Sequence, residues 1–96
     1  MSAYLLARVR ITDSETYKAY VARSPAVVES FGGEFLVRGG RNETLEGPAF
    51  EGRLVILKFP DLDRARAFYH SENYQELIKL RAPASTAEIV IVEGFE

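Results

Sequence analysis

Hydrophobic and polar residues follow a pattern that occurs twice along this chain. When the second half of the sequence is laid on the first, the paired positions share their chemistry: Leu54 falls on Leu6, Asp61 on Asp13, Arg66 on Lys18 and Phe68 on Tyr20. Each half contains an apolar strand pattern, an acidic helix start, an amphipathic helix and a second apolar strand. The pattern therefore predicts the element order βαβ in each half.

This element order predicts an α+β domain of the ferredoxin-like kind. The expected architecture is a βαββαβ sandwich, in which four strands form an antiparallel sheet and two helices cover one of its faces. Internal repeats are also typical of solenoids, but a solenoid needs about three or more units to bury its faces. We therefore expect a single domain over residues 1–96.

The strands are predicted over residues 4–11, 34–38, 53–59 and 88–93. The third is almost wholly apolar, as expected for a central strand that is buried on both faces. Residues 42–52 contain Gly47-Pro48 and Gly52, which is typical of a connecting loop. A short edge ribbon is expected inside this loop, around residues 43–45.

Local signals predict where the helices begin and break. Thr12 and Glu15 have the spacing of a capping box, which predicts Thr12 as the N-cap of the first helix. Pro25 removes a hydrogen bond from a helix interior, so we expect a kink or a restart there. Asp61 is predicted to cap the second helix, and Ser71 marks a break within it.

The side of the sheet without helices is predicted to be apolar, and we call it the open face. Alternation directs Leu5, Ala7, Val9 and Ile11, with Val55, Leu57 and Phe59, toward the helices. The open face then carries Tyr4, Leu6, Leu54 and Ile56, joined by either Val90 and Val92 or Ile89 and Ile91. The area of such a patch approaches the ~300–600 Å² that the largest apolar patch on a soluble monomer covers. We therefore expect the chain to form a homodimer through the open face.

The open face is also predicted to carry positive charge. Alternation places Arg8, Arg10 and Lys58 on it, and Arg38 ends the neighbouring strand. Glu34, Glu88 and Glu93 are the acidic residues available to neutralise these cations. Alternatively, the basic cluster could hold a small anion, because guanidinium groups suit carboxylates and phosphates.

Composition narrows the classes of function. The net charge of −2 gives no overall basic field for nucleic acid or an anionic membrane. The absence of cysteine excludes disulfides, zinc thiolate sites and iron–sulfur clusters. His70, the one histidine, has no partner at metal-ligand spacing, so we expect it at the surface. Because no signal peptide and no long apolar run are recognised, we expect a cytoplasmic protein. We also expect no metal and no other cofactor.

Six parts of the sequence form a distinctive set. They are Phe35-Leu36-Val37-Arg38-Gly39-Gly40, Leu45-Glu46-Gly47, Phe59-Pro60-Asp61, residues 68–75, Arg81 and Val92-Glu93-Gly94. Together they resemble the DUF1330 family of the dimeric α/β-barrel superfamily. The resemblance implies a ferredoxin-like protomer whose sheet packs face to face against a second copy. At residues 71–73 the family usually has Ser-Pro-Glu and this chain has Ser-Glu-Asn, so a looser helix break is expected.

The resemblance allows an enzyme without selecting one. Related barrels include cofactor-free monooxygenases, isomerases of small lactones and haem-degrading enzymes. A cofactor-free enzyme needs a general base and a polar pocket, and no residue of this sequence is a convincing base. Whether the protein is an enzyme stays open at this point.

The candidate ligand-binding residues lie around the helix break and at the end of the second strand. They are Arg38, Tyr69, Ser71, Tyr74 and Arg81. Arranged in the cleft between helices and sheet, they could hold a small anionic or aromatic metabolite. The remaining alternative is a dimeric module without a small-molecule site, in which Phe31, Phe68 and Leu77 would fill the cleft.

Overall fold

Four strands form one antiparallel sheet in this computed structural model, which describes residues 1–95. The strands are β1 (Ala3–Ile11), β2 (Glu34–Arg38), β3 (Arg53–Phe59) and β4 (Ser85–Glu93). Their order across the sheet is β2-β3-β1-β4, and neighbouring strands are antiparallel. With helices between β1 and β2 and between β3 and β4, this is the predicted ferredoxin-like arrangement.

The helices are α1 (Ser14–Ser30), α2 (Leu62–His70) and α3 (Glu72–Arg81), and a 3-10 turn at Ala82–Ala84 leads into β4. The predicted break at Ser71 is confirmed, since it separates α2 from α3. The Ser71 hydroxyl donates to the Phe68 carbonyl over 2.7 Å and accepts from the Tyr74 N–H over 3.1 Å. These two bonds define the break without a proline at position 72. No helix within residues 1–95 has the length and hydropathy of a membrane span.

Helix α1 differs from the prediction at its start and at Pro25. The N-cap is Asp13 and not Thr12, because the Asp13 carboxylate accepts from both the N–H and the hydroxyl of Thr16. An ionised acceptor at the positive end of a helix is favoured over a hydroxyl. The helix also continues through Pro25, so the expected restart is absent.

The strand register confirms the predicted faces of β1 and β3 and resolves that of β4. Leu6 pairs with Ile56 on one side and with Val90 on the other, so these three residues share the open face. Val90 and Val92 are therefore the β4 residues on that face, and they are 55% and 49% exposed. β4 begins at Ser85, earlier than predicted, because the ladder with β1 extends to the end of that strand.

Strand β2 contains one extra residue. Phe35 pairs with Leu57 and Val37 pairs with Ile56, so Leu36 forms a bulge between two consecutive partners. A bulge changes the face on which the following residues lie. Arg38 pairs with Val55 and consequently points to the helix side of the sheet.

The loop between β2 and β3 has no edge ribbon, so that prediction is wrong. Residues 43–45 have no strand conformation. The loop is held instead by side-chain to backbone hydrogen bonds, in which the Thr44 hydroxyl accepts from the Phe50 N–H and the Asn42 amide donates to the Gly52 carbonyl. These bonds occupy backbone groups that strand pairing would need.

Candidate functional site

A cavity of about 30 Å³ lies between the helices and the sheet. Its apolar walls come mainly from β1 and β3. The charged and tyrosine residues around it are Tyr17, Tyr20, Tyr74, Arg38, Arg53 and Arg81. We call this cavity and these six residues the helix-sheet cleft. Polar groups that converge inside an otherwise apolar layer are typical of a ligand site.

Two tyrosines are joined across the helix-sheet cleft. The hydroxyls of Tyr20 on α1 and Tyr74 on α3 lie 2.7 Å apart in a hydrogen bond. Tyr74 is 3% exposed, and its ring packs against Phe68 with a centroid distance of 4.5 Å. Burial raises the pKa of Tyr20, so its hydroxyl is neutral at physiological pH. This pair provides hydrogen bonds and aromatic surface to the cleft.

Arg81 is almost completely buried in the last turn of α3. Its exposed fraction is 8%, and its guanidinium lies 5.9 Å from the centre of the Tyr20 ring. The C-terminal end of a helix carries partial negative charge, which favours a cation there. The Nε atom nevertheless has no hydrogen-bond partner among residues 1–95.

Arg53 enters the same cleft from the sheet. It pairs with Val9 at the start of β3, and that register directs its side chain toward the helices. Gly39 packs directly against its guanidinium, where a Cβ atom would overlap, and has a φ of 71° that side chains rarely adopt. The turn after β2 therefore needs glycine at this position, and Arg53 lies beneath it.

Arg38 is the third guanidinium of the cleft, and it forms part of the scaffold. Its Nη2 donates to the Val21 carbonyl over 2.7 Å, and the group lies 4.7 Å from the centre of the Phe35 ring. In a regular helix the Val21 carbonyl would accept from residue 25, but Pro25 has no N–H. Arg38 therefore supplies the hydrogen bond that the proline removes.

The predicted basic cluster of the open face lacks Arg38, and this part of the prediction is wrong. The bulge at Leu36 places Arg38 on the opposite side of the sheet from Arg8. Arg8 forms an ion pair at 3.6 Å with Glu88, which is one of the expected acidic partners. The guanidiniums of Arg8 and Arg10 lie 4.7 and 4.9 Å from the Phe50 ring centre. These cations thus have partners within the protomer.

Two of the five predicted ligand-binding residues lie outside the helix-sheet cleft. Tyr69 borders a separate surface cavity of about 170 Å³ with Arg66 and His70. His70 is exposed at the end of α2. Ser71 is engaged in its two helix-break bonds. The structure thus brings Arg38, Tyr74 and Arg81 to one cavity, whereas Tyr69 and Ser71 contact Tyr74 without lining that cavity.

Three residues of the cleft were not among the sequence candidates. Alternation along β3 could have indicated Arg53, because it lies two residues before Val55 on the helix-facing side. Tyr17 and Tyr20 belong to the apolar stripe of α1, which gives no signal that separates a cleft from a core. Of the three residues that would have filled the cleft, Phe68 lines the cavity, whereas Leu77 lies in the hydrophobic core and Phe31 packs against that core, and neither lines the cavity.

The electrostatics of the cleft favour an anion. Among the residues that line it within 1–95, none is acidic. Burial raises the pKa of Tyr17, while the charges of Arg53 and Arg81 act in the opposite direction. The described residues contain no cluster of three or more His, Cys, Asp or Glu side chains suited to a metal ion. The cleft is therefore a set of hydrogen-bond donors and aromatic rings with excess positive charge.

Solved structures with this fold include natural and designed proteins. A protein of unknown function from Rhodopseudomonas palustris is 22% identical with a TM-score of 0.77, over 99% of this chain and 83% of that one. SnoaB, a cofactor-independent oxygenase from Streptomyces nogalater, is 14% identical with a TM-score of 0.70, over 99% and 94%. The de novo designed protein Foldit4 is 14% identical with a TM-score of 0.63, over 99% and 100%. A fold shared by an oxygenase and a designed protein selects no activity by itself.

Sequence comparison leads to a family without an assigned function. Among curated proteins, none is significantly similar to this chain. The family model described as a domain of unknown function, DUF1330, matches residues 2–95. This match spans both halves of the repeat and every helix and strand of the sandwich. The chain therefore belongs to the DUF1330 family.

Proposed function

We propose that this protein binds a small anionic or aromatic metabolite in the helix-sheet cleft and that it acts as a homodimer. The observation that supports the binding role is the convergence of three guanidinium groups and three tyrosines on one internal cavity. Buried arginine without a counter-charge is costly, and a well-packed apolar residue is often the more stable choice. A ligand that supplies hydrogen-bond acceptors and negative charge to these groups would explain why arginines occupy the cleft in place of apolar residues.

The polarity of the cleft suits a ligand with a polar head and a flat apolar body, and the cavity of about 30 Å³ must widen to admit that body. Tyr17 and Tyr20 present neighbouring rings with centroids 5.3 Å apart, and the Arg81 guanidinium faces the second ring. Aromatic side chains combine a large apolar surface with a hydroxyl that can orient a ligand. Ligand pockets typically have this combination of apolar walls and few convergent polar groups.

The binding role is tested with a panel of small aromatic acids, aliphatic acids and neutral aromatics. A compound that binds only the folded state at about 100 times its dissociation constant should add about 2.7 kcal/mol to the free energy of unfolding. Ser24→Leu fills the cleft, because Ser24 is 6% exposed and lines the cavity. Ser30→Leu is the matched control on the exposed end of α1.

We expect Ser24→Leu to abolish the stabilisation by an active compound and Ser30→Leu to retain it. Circular dichroism checks that both variants are folded. If no compound of the panel stabilises the wild type, the remaining interpretation is a dimeric module without a small-molecule site.

The homodimer is supported by the size and composition of the open face. The four strands, of nine, five, seven and nine residues, present about 500 Å² of flat surface at the usual strand spacing and rise. Two such faces would bury about 1,000 Å², which reaches the ~1,000 Å² expected of a specific interface. Leu6, Val90 and Val92 are 36%, 55% and 49% exposed on this face. A second copy of the same face would cover them.

The dimer is tested by sedimentation of the Leu54→Asp variant. Leu54 lies on the open face opposite Arg8, which already pairs with Glu88, so an aspartate there would carry a second carboxylate into the interface. We expect a monomer or insoluble protein. Ala22→Asp makes the same chemical change on the exposed side of α1 and should remain dimeric. A wild type that stays monomeric at high micromolar concentration would contradict the face-to-face arrangement.

A cofactor-free oxygenase or isomerase is the second candidate, and the fold shared with SnoaB supports it. Such chemistry needs a general base. Burial raises the pKa values of Tyr17 and Tyr20 in the cleft. Tyrosines that hold their protons this strongly support binding better than proton abstraction. Oxygen consumption in the presence of a compound that binds would favour the enzyme.

A further inference from the structure

Two guanidinium nitrogens in the helix-sheet cleft have no hydrogen-bond partner. They are the Nε atoms of Arg53 and Arg81, which are shielded from solvent and unpaired within residues 1–95. Arg81 as a whole is 8% exposed. Arginine is almost never buried to this degree unless it is paired, and each unpaired buried donor calls for an explanation.

The fold supplies no counter-charge for these two residues. The ion pairs among residues 1–95 join Arg8 to Glu88 and otherwise link neighbouring turns on helix surfaces, and neither Arg53 nor Arg81 takes part. Both arginines act electrostatically on the hydroxyl of Tyr17, so their charges meet around one group. Arg38 is engaged with the Val21 carbonyl. The cleft therefore contains two cations without a counter-charge, and their Nε donors have no acceptor in the described part of the chain, although Arg53 also hydrogen-bonds the Tyr17 side chain.

The volume of the cavity limits what can pair with them. About 30 Å³ admits about two water-sized groups. The two oxygens of a carboxylate have this size, and they lie in the plane that a guanidinium fork matches. A tetrahedral phosphate group does not match that plane, and the rest of an organic acid needs room beyond these 30 Å³.

Resting on the proposed binding role, we infer that Arg53 and Arg81 form an inner anion site that takes the carboxylate head of a small organic acid. The body of the acid is larger than this cavity, so the rings of Tyr17 and Tyr20 must move apart toward Arg38 to admit it. Carboxylate binding supplies the missing acceptors and neutralises the buried charge.

Benzoate and benzamide test this site, because they share a ring and differ in the charge of the head group. Each is titrated, with affinity measured by calorimetry or by NMR shifts, against the wild type, Arg81→Gln and Arg53→Gln. Arg23→Gln removes the same charge from the exposed surface of α1 and serves as the control. Inorganic phosphate at matched ionic strength tests for general anion binding.

We expect benzoate to bind the wild type more tightly than benzamide or phosphate. Arg81→Gln and Arg53→Gln should each weaken benzoate binding about 10- to 100-fold, the loss typical of a charged hydrogen bond. Benzamide binding and the Arg23→Gln control should change little. Unliganded Arg81→Gln should melt no lower than the wild type, because it removes an uncompensated buried charge.

Three outcomes would overturn the anion site. The first is equal affinity for benzoate and benzamide in the wild type, which would leave the cleft as a site for neutral ligands. The second is benzoate binding that survives Arg53→Gln or Arg81→Gln, and if Arg81→Gln does not fold, Arg53→Gln decides. The third is tighter binding of phosphate. Failure of the whole panel and of both probes would instead overturn the proposed function itself.

Discussion

The guanidinium of Arg38 lies 2.7 Å from the carbonyl oxygen of Val21, the acceptor that Pro25 leaves without its helical donor. A proline in a helix interior usually costs about 3 kcal/mol or more, in part because one carbonyl loses its partner. Here a side chain from the sheet supplies the missing donor across the mouth of the cleft. The proline, the strand end and the cleft are thus one structural unit.

This relationship predicts that the effects of Arg38 and Pro25 on stability are coupled. Arg38→Ala should lower the free energy of unfolding by roughly 1 kcal/mol, since it removes one hydrogen bond from a charged donor that is partly in solvent. In a Pro25→Ala background the restored N–H satisfies Val21, so the same change should have little effect. Urea denaturation of the four proteins of this cycle measures the coupling. Equal losses in both backgrounds would contradict it, and Arg41→Ala on the adjacent loop is the neutral control.

Ser71 is predicted to act on stability and not on ligand binding. Its hydroxyl accepts from the Tyr74 N–H as the N-cap of α3, and Ser71→Ala should therefore cost about 1–2 kcal/mol. Thermal unfolding measures this loss. Ser71→Asp keeps an acceptor at the cap and should recover much of it, whereas Ser14→Ala on the exposed first turn of α1 should be nearly neutral. A change in ligand affinity without a change in stability would return Ser71 to the binding site.

The buried tyrosines predict a loss of stability at high pH. Burial raises the pKa of Tyr20 above its ordinary value of 10.0, so the folded state retains the proton more strongly than the unfolded chain. The stability contributed by this group is fully present below pH 10 and is lost as the pH rises from there toward the folded pKa. Tyr20→Phe should flatten this alkaline decline in urea unfolding experiments. Parallel declines of wild type and variant would show that another group is responsible.

The cap of α1 predicts a second pH dependence, in acid and of opposite sign. Hydrogen bonds from Thr16 hold the pKa of Asp13 below its ordinary value of 3.8. The contribution of the charged cap is therefore present above that value and is lost as the pH falls through the lowered pKa. Asp13→Asn keeps an acceptor without the charge, so the difference in melting temperature between the two proteins should shrink in acid. A difference that stays constant with pH would assign the cap energy to geometry alone.

Alternation and topology were sufficient to predict most of the fold. Leu5 and Leu6 were assigned to opposite faces, and the register with Leu57 and Ile56 confirms both. The sequence could not choose between Val90 and Ile89 because both are aliphatic and either phase of β4 keeps the pattern. Thr12 and Asp13 compete for the same cap, and only the backbone geometry decides between them.

The candidate site was predicted in part, for reasons that differ among its residues. Tyr74 could be identified because its hydroxyl flanks the helix break, and Arg81 because it is one of the residues that carry the family resemblance. Arg53 could have been found by extending the alternation of β3 by two residues. The face of Arg38 could not be predicted, because nothing in the letters Phe-Leu-Val marks Leu36 as the residue without its own partner.

The extra residue in β2 also determines to which face the charge of Arg38 belongs. A regular strand that kept every residue would pair Leu36 with Ile56 and would turn Arg38 toward the open face, away from the Val21 carbonyl. One positive charge would thereby leave the cleft and enter the surface proposed to join two protomers. Deleting Leu36 would instead remove the bulge and leave Arg38 opposite Val55, on the side of the helices. Sequence changes in this short strand that flatten the bulge without shortening the chain are therefore the ones that would alter ligand site and assembly together.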